Sequence, residues 1–277
     1  MDTIDHVERF KVEYQFRLDP STIQQYTASV RQLLHHVQKP VENVTKQDIR
    51  NWFISLEGQG YRLSTIATKL RGLRKFFAYC EEDEIVPINP TKGIPYPRTE
   101  EKLPTYLTPP ELAILRDTVR GKPFEAAMVE VLVTTGVRIT ELRHLQQSAI
   151  DWTERSILVF GKYDKERVVL FTQACSELLQ AYLDSRTDEV PYVFINQMRT
   201  REVGEKLIYH HFDTYSAVLG RNITPHTLRY TYAVNMIQSG MDEEEAQELL
   251  GHDRPETTAW YTKLYSHDQK NKYDEWT

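Results

Sequence analysis

Cysteine is almost missing from this chain. Its 277 residues include two, Cys80 and Cys175, too far apart in sequence for a paired zinc or redox spacing. Such a composition reads as that of a protein from a reducing cytoplasm. No apolar run approaches the ~20 residues that a membrane-spanning helix requires, so no membrane partner is expected. The opening MDTIDHVERF is acidic and lacks the apolar core of a signal peptide. The histidines suggest no metal site, because His35–His36 and His210–His211 are adjacent pairs and not ligand spacings. Internal repeats and low-complexity tracts are absent as well. So is a basic excess: the net charge is −6, a mild argument against nucleic acid as a partner. The charge is uneven, however. Residues 1–100 hold 14 Lys/Arg against 13 Asp/Glu, and residues 101–277 hold 20 against 27. The acidic surplus lies partly in DEEEAQE (242–248), and a solvated acidic helix face can coexist with a basic surface elsewhere.

What is present supports packed cores. With 40% hydrophobic and 11% aromatic residues, the chain is long enough for two ordinary domains. Its first eighty residues read as helices. PSTIQQYTASVRQLLHHV, with Ser21 as the expected cap, repeats apolar side chains at Ile23, Tyr26, Val30, Leu33, Leu34 and Val37. VTKQDIRNWFISL starts again from Thr45. LSTIATKLRGLRKFFAYC sets Ile66, Leu70, Leu73 and Phe77 against Arg71, Arg74 and Lys75, and residues 61–80 contain no acid. Such a basic face is usually only solvated, and becomes a phosphate-tracking surface if the rest of the chain demands DNA. Between Pro87 and Pro110 stand seven of the 13 prolines, which predicts an extended linker. Beyond it, Thr108 is positioned to cap a helix. Helices are expected at 109–119, 123–135, 139–147 and 173–185, a β-hairpin in SILVFGKYDKERVVLF with its turn at 161–166, and a short strand in YVFI.

Five places could carry chemistry. In TTGVRITEL, Arg138 follows a glycine where a new helix is expected to begin, so its side chain and nearby N–H groups could meet an anion together. In FGKYDKER, Lys162 stands at the hairpin turn. In TPHTLRYTYAVNMI, Thr224 caps, Pro225 opens the helix, and His226 and Arg229 fall on one face. In LLGHD, His252 follows Gly251. Tyr261 lies on a helix begun by Asp253, Pro255 and Glu256, with Tyr265 one turn further on. Each has an ordinary explanation: a salt bridge, a solvated lysine, a satisfied histidine, a packing tyrosine. Together they suit phosphodiester chemistry without a metal. Arginine forks can neutralise a pentacoordinate phosphate, and a tyrosine can attack phosphorus to form a covalent ester. A lysine can protonate the leaving oxygen.

With these motifs the chain resembles the tyrosine recombinase (phage integrase) family, most closely its compact Xer-type members. TGVRITEL, GKYDKER, HTLRYTYA, LLGH and TTAWYTKL occur in family order with family-like spacing, including the nine-residue step from His252 to Tyr261. The resemblance covers nearly the whole chain. It implies a mainly α protein with a small β-sheet in its catalytic domain, forming a two-domain C-shaped DNA clamp. A helical core-binding (SAM-like) domain would span 1–86, a proline-rich linker 87–107 and an α+β catalytic domain 108–277. By the resemblance, no separate arm-site domain is expected ahead of the helical one.

By the same resemblance, Tyr261 would be the nucleophile, forming a 3′-phosphotyrosyl bond. Arg138 and Arg229 would clamp the phosphate, His226 would act as acid/base or phosphate ligand, and Lys162 would protonate the 5′-oxygen. His252 would hydrogen-bond the phosphate, and Glu141 would orient the site from behind Arg138. No metal or other cofactor is implied. Lys69, Arg71, Arg74 and Lys75 would be DNA contacts. The implied partners are double-stranded DNA with inverted-repeat core sites and further protomers, in a homotetramer or a heterotetramer with a paralogue that exchanges strands through a Holliday junction. The location would be the cytoplasm, on the nucleoid. Tyr230 departs from the pattern, since many relatives carry a second histidine there; altered packing is the expected result. Two alternatives stay open at this stage: a catalytically silent recombinase-derived DNA-binding protein, and a type IB topoisomerase.

Overall fold

The computed structural model describes residues 5–98, 105–161, 166–242 and 245. The chain divides into two compact units, Met1–Glu101 and Lys102–Thr277. It is mainly helical with one small sheet, as the sequence leads one to expect.

In the first unit four helices enclose one core: α1 (His6–Tyr14), α2 (Pro20–Val37), α3 (Lys46–Gly58) and α4 (Leu63–Glu82). The α1 helix was not singled out by periodicity; Asp5 caps it, accepting from the N–H groups of Val7 and Glu8. The cap of α2 is Asp19 and not Ser21, because Pro20 fills the first helical position, where its missing N–H costs nothing. Thr45 caps α3 in a reciprocal box with Asp48. Phe10, Val30, Leu33, Ile49, Leu70, Leu73, Phe76 and Phe77 are fully buried between the helices. The α2 and α4 backbones approach closely at Gly72, where a Cβ would stand 3.0 Å from the Cα of Tyr26. The first residues of the proline-rich stretch are not extended. Val86 and Ile94 join this core, Asn89 accepts from the Thr91 N–H at 2.9 Å, and Arg74 donates to the Ile94 carbonyl. Two apolar side chains and an Asx turn override the prolines there.

The second unit runs α5 (Pro109–Val119), α6 (Pro123–Thr135), α7 (Ile139–Arg143), β1 (Ile150–Asp151), β2 (Ser156–Phe160), β3 (Glu166–Leu170), α8 (Gln173–Asp184), α9 (Glu205–Leu219) and α10 (Pro225–Gln238). The sheet is antiparallel in the order β1-β2-β3, with Val159 opposite Arg167 and Ile157 opposite Val169. Residues 162–165, the expected turn, lie outside the described residues. The α6 helix is buried along most of its length, from Ala126 to Val133, and forms the centre of the core. Two expectations fail here. The α7 helix ends at Arg143 instead of 147, because the chain leaves it to meet the segment around Val193: Val193 N–H donates to the Leu145 carbonyl at 2.7 Å and Gln147 N–H to that of Pro191 at 2.9 Å. YVFI makes no strand; isolated bridges pair Tyr192 with Gln146 and Ile195 with Glu202, while Val193 and Phe194 go to the core. Among the described residues no helix is long and apolar enough to cross a membrane.

Candidate active site

The site is organised by the glycine that ends α6. Gly136 adopts φ 61 and ψ 22, the left-handed conformation that a side chain would strain. The chain then re-extends, and Arg138 occupies the cap position of α7 with φ −74 and ψ 155. Its backbone N–H donates to Glu141 Oε2 at 2.7 Å and its Nη1 to Glu141 Oε1 at 2.9 Å.

The α10 helix docks onto this turn. Thr224 caps it, accepting from the Thr227 N–H, and Pro225 fills the first position. One turn on, Arg229, 3% exposed, donates to the Gly136 carbonyl. Tyr232 lies so close that a Cβ on Gly136 would stand 2.4 Å from its ring. The helix is also tied to the start of the unit, since the Leu107 N–H donates to Thr231 Oγ1 at 2.8 Å. His226 is solvent-exposed on the same helix. Its pKa is lowered, first by partial desolvation of the ring and then by the positive charges of Arg229 and Arg138. Arg138, His226 and Arg229 are thus neighbours although 88 and more residues separate the first from the others. Tyr230, the departure from the family pattern, packs beside Tyr232, Ala233 and Val234, with its ring 6.4 Å from that of His226.

Behind Arg138 lies a residue that the sequence reading passed over. Arg167 on β3 donates to both oxygens of Glu141, Nη1 to Oε1 at 2.6 Å and Nη2 to Oε2 at 2.8 Å. The signal was strand alternation: in ERVVL, Arg167 shares the inward face with the buried Val169. Burial opposes ionisation of Glu141, yet the hydrogen bonds and charge of Arg167, helped by Arg138, leave its pKa lowered. It is a carboxylate at neutral pH. Lys162, His252, Tyr261 and Tyr265 lie outside the described residues.

The four basic residues of α4 differ in setting. Arg71 is exposed. Lys69 is 9% exposed, bonded to Gln32, with its ammonium over the rings of Trp52 and Tyr61. Arg74 stacks on Tyr96, 4.2 Å from the ring centre, and Lys75 stands 4.6 Å from that of Tyr14.

Comparison with known proteins decides the family. Residues 106–267 match the model described as the phage integrase family, and residues 8–86 that of the phage integrase N-terminal SAM-like domain. The chain belongs to the phage integrase family. Its enzyme class is that of a tyrosine site-specific recombinase. It is 34% identical to the tyrosine recombinase XerC of Herpetosiphon aurantiacus, over 84% of this chain and 79% of that one. To the tyrosine recombinase XerC of Haemophilus influenzae (strain PittEE) it is 29% identical, over 94% and 92%. Among solved structures, XerA recombinase is similar with a TM-score of 0.57 and 28% identity over 98% of both chains. A lambda integrase fragment, solved as a dimer bound to a COC′ core site, shares the fold at a TM-score of 0.75 and 16% identity, over 92% of this chain and 93% of that one.

Proposed function

We propose that this recombinase cuts and rejoins double-stranded DNA at specific core sites through a covalent phosphotyrosine. The observation that carries the reading is the convergence of Arg138, His226 and Arg229 at the Gly136 turn. Three cationic or proton-carrying groups from two helices at one spot suit a phosphodiester better than any ordinary salt bridge. Structures of the same fold solved on DNA, lambda integrase on a COC′ core site and XerH recombinase on a palindromic difH substrate, support DNA as the partner.

In the proposed reaction the Tyr261 hydroxyl oxygen attacks the scissile phosphorus. The bond from phosphorus to the 5′-oxygen breaks, and a 3′-phosphotyrosyl ester replaces the phosphodiester without hydrolysis. Lys162 gives the leaving 5′-oxygen its proton. Arg138 and Arg229 hold the non-bridging oxygens, His226 takes the phenolic proton as Tyr261 attacks and returns it on rejoining, and His252 donates to the phosphate. Glu141 orients Arg138. Rejoining is the reverse reaction with a 5′-hydroxyl from the exchanging strand, so the ester itself conserves the bond energy and no cofactor takes part.

The helical domain, residues 1–86, adds backbone contacts from α4, with 87–107 as the connection to the catalytic domain, 108–277. Four protomers on two inverted-repeat sites would exchange strands in pairs through a Holliday junction. A nicked suicide substrate tests the chemistry: the wild-type chain should accumulate a protein–DNA adduct, and relaxation of plasmids lacking any core site should be absent.

A further inference from the structure

Glu141 is shared by two arginines. Each of its oxygens takes one hydrogen bond from Arg138 and one from Arg167, at 2.6 to 2.9 Å. Its side chain is 2% exposed and that of Arg167 13%, whereas that of Arg138 is 30% exposed. The arrangement is therefore layered, with a buried carboxylate between a covered arginine and one that reaches the surface.

Charge counting shows why the covered arginine matters. With Glu141 and Arg138 alone, the carboxylate would cancel the charge that a phosphate is meant to meet. Arg167 supplies a second positive charge, so these three groups together carry a formal +1. The fork of Arg167 also fixes the carboxylate plane, because it engages both oxygens and its strand is locked in the ladder opposite Val159. A rigid, already neutralised acceptor lets Arg138 keep one orientation.

We infer that Arg167 is a positioning residue for the recombination chemistry, acting through Glu141 to hold Arg138 in place and keep its charge available to the scissile phosphate. The low pKa of Glu141 agrees with this, since Arg167 is foremost among the groups that keep it ionised against burial.

This rests on the reading that Arg138 meets the phosphate, and the test separates the two. Adduct formation is measured on a suicide substrate and on the same DNA with a methylphosphonate at the scissile position, where a methyl group replaces one charged oxygen. Arg167→Met should slow the ordinary substrate by about 10²-fold, the scale of a misplaced catalytic contact. On the methylphosphonate, which needs less positive charge, its deficit should fall below about tenfold. DNA affinity should stay within about threefold of wild type, since the substitution leaves the phosphate-tracking surface untouched. In a Glu141→Gln background, Arg167→Met should cost little more, because the two act as a unit. An Arg167→Met variant that reacts at the wild-type rate overturns the inference. So does an equal deficit on both substrates, the mark of general damage to the fold. Failure of the underlying reading looks different: no adduct with the wild-type chain, or an Arg138→Ala variant that forms the adduct at the wild-type rate.

Discussion

Arg229 donates a hydrogen bond to the carbonyl oxygen of Gly136, 93 residues earlier in the chain. That bond joins the helix carrying His226 to the turn that presents Arg138. The Tyr232 ring also packs against Gly136. Replacing it by alanine would add a methyl 2.4 Å from that ring at φ 61. Left-handed strain and overpacking together should cost on the order of 2–4 kcal/mol. Gly136→Ala should show a lowered melting transition in calorimetry and a slowed cleavage rate; an unchanged melt would contradict the packing described.

Arg138→Ala and Arg229→Ala should each reduce cleavage by about 10²–10³-fold while affinity for core-site DNA changes far less. They should differ in stability. Arg229 is buried and its removal leaves the Gly136 carbonyl without that donor, about 1–3 kcal/mol, whereas Arg138 is partly exposed. Parallel filter-binding and single-turnover assays would read both, and an equal loss of binding and cleavage would count against a catalytic role.

His226 has a pKa below its ordinary value of 6.5, owing to desolvation and then to Arg229 and Arg138. It is neutral at pH 7 and can accept a proton. The unfolded chain protonates this histidine first, near pH 6.5. Its contribution to stability is therefore intact above that pH and is lost as the pH falls through the lower folded value. An NMR titration of the ring should give a midpoint below 6.5, and a midpoint at or above it would contradict the cationic surroundings.

Much of this was legible in the sequence, for physical reasons. The bounds of α5, α6 and β2 and the cap of α3 follow from periodicity and from side chains that satisfy orphan N–H groups, which are local properties. Glycine at 136 and Thr224-Pro225 marked the two helix ends that meet at the site. What stayed hidden was tertiary. The α7 helix stops early because residues 191–193 compete for its continuation, and YVFI lies buried without a partner strand. Arg167 is one of several charges in a hairpin, and what distinguishes it is its partner Glu141, 26 residues away in sequence. Lys69 is expected as a DNA contact beside Arg71, Arg74 and Lys75, although its helix position turns it toward Trp52.

That last difference predicts a split within α4. Arg71 is exposed, so Arg71→Ala should weaken DNA binding and lower the salt dependence by about one counterion. Lys69→Ala should instead lower the melting temperature, since it removes a buried stem and the contacts over Trp52 and Tyr61. Equal salt slopes for wild type and Arg71→Ala would exclude that residue as a phosphate contact.

The central claim is that Tyr261 becomes joined to DNA. Mixing Tyr261→Phe with a nicked suicide substrate and resolving the products under denaturing conditions tests it most directly. The variant should bind the DNA as wild type does and yield no covalent adduct. An undiminished adduct would contradict the assignment and move the search to Tyr265.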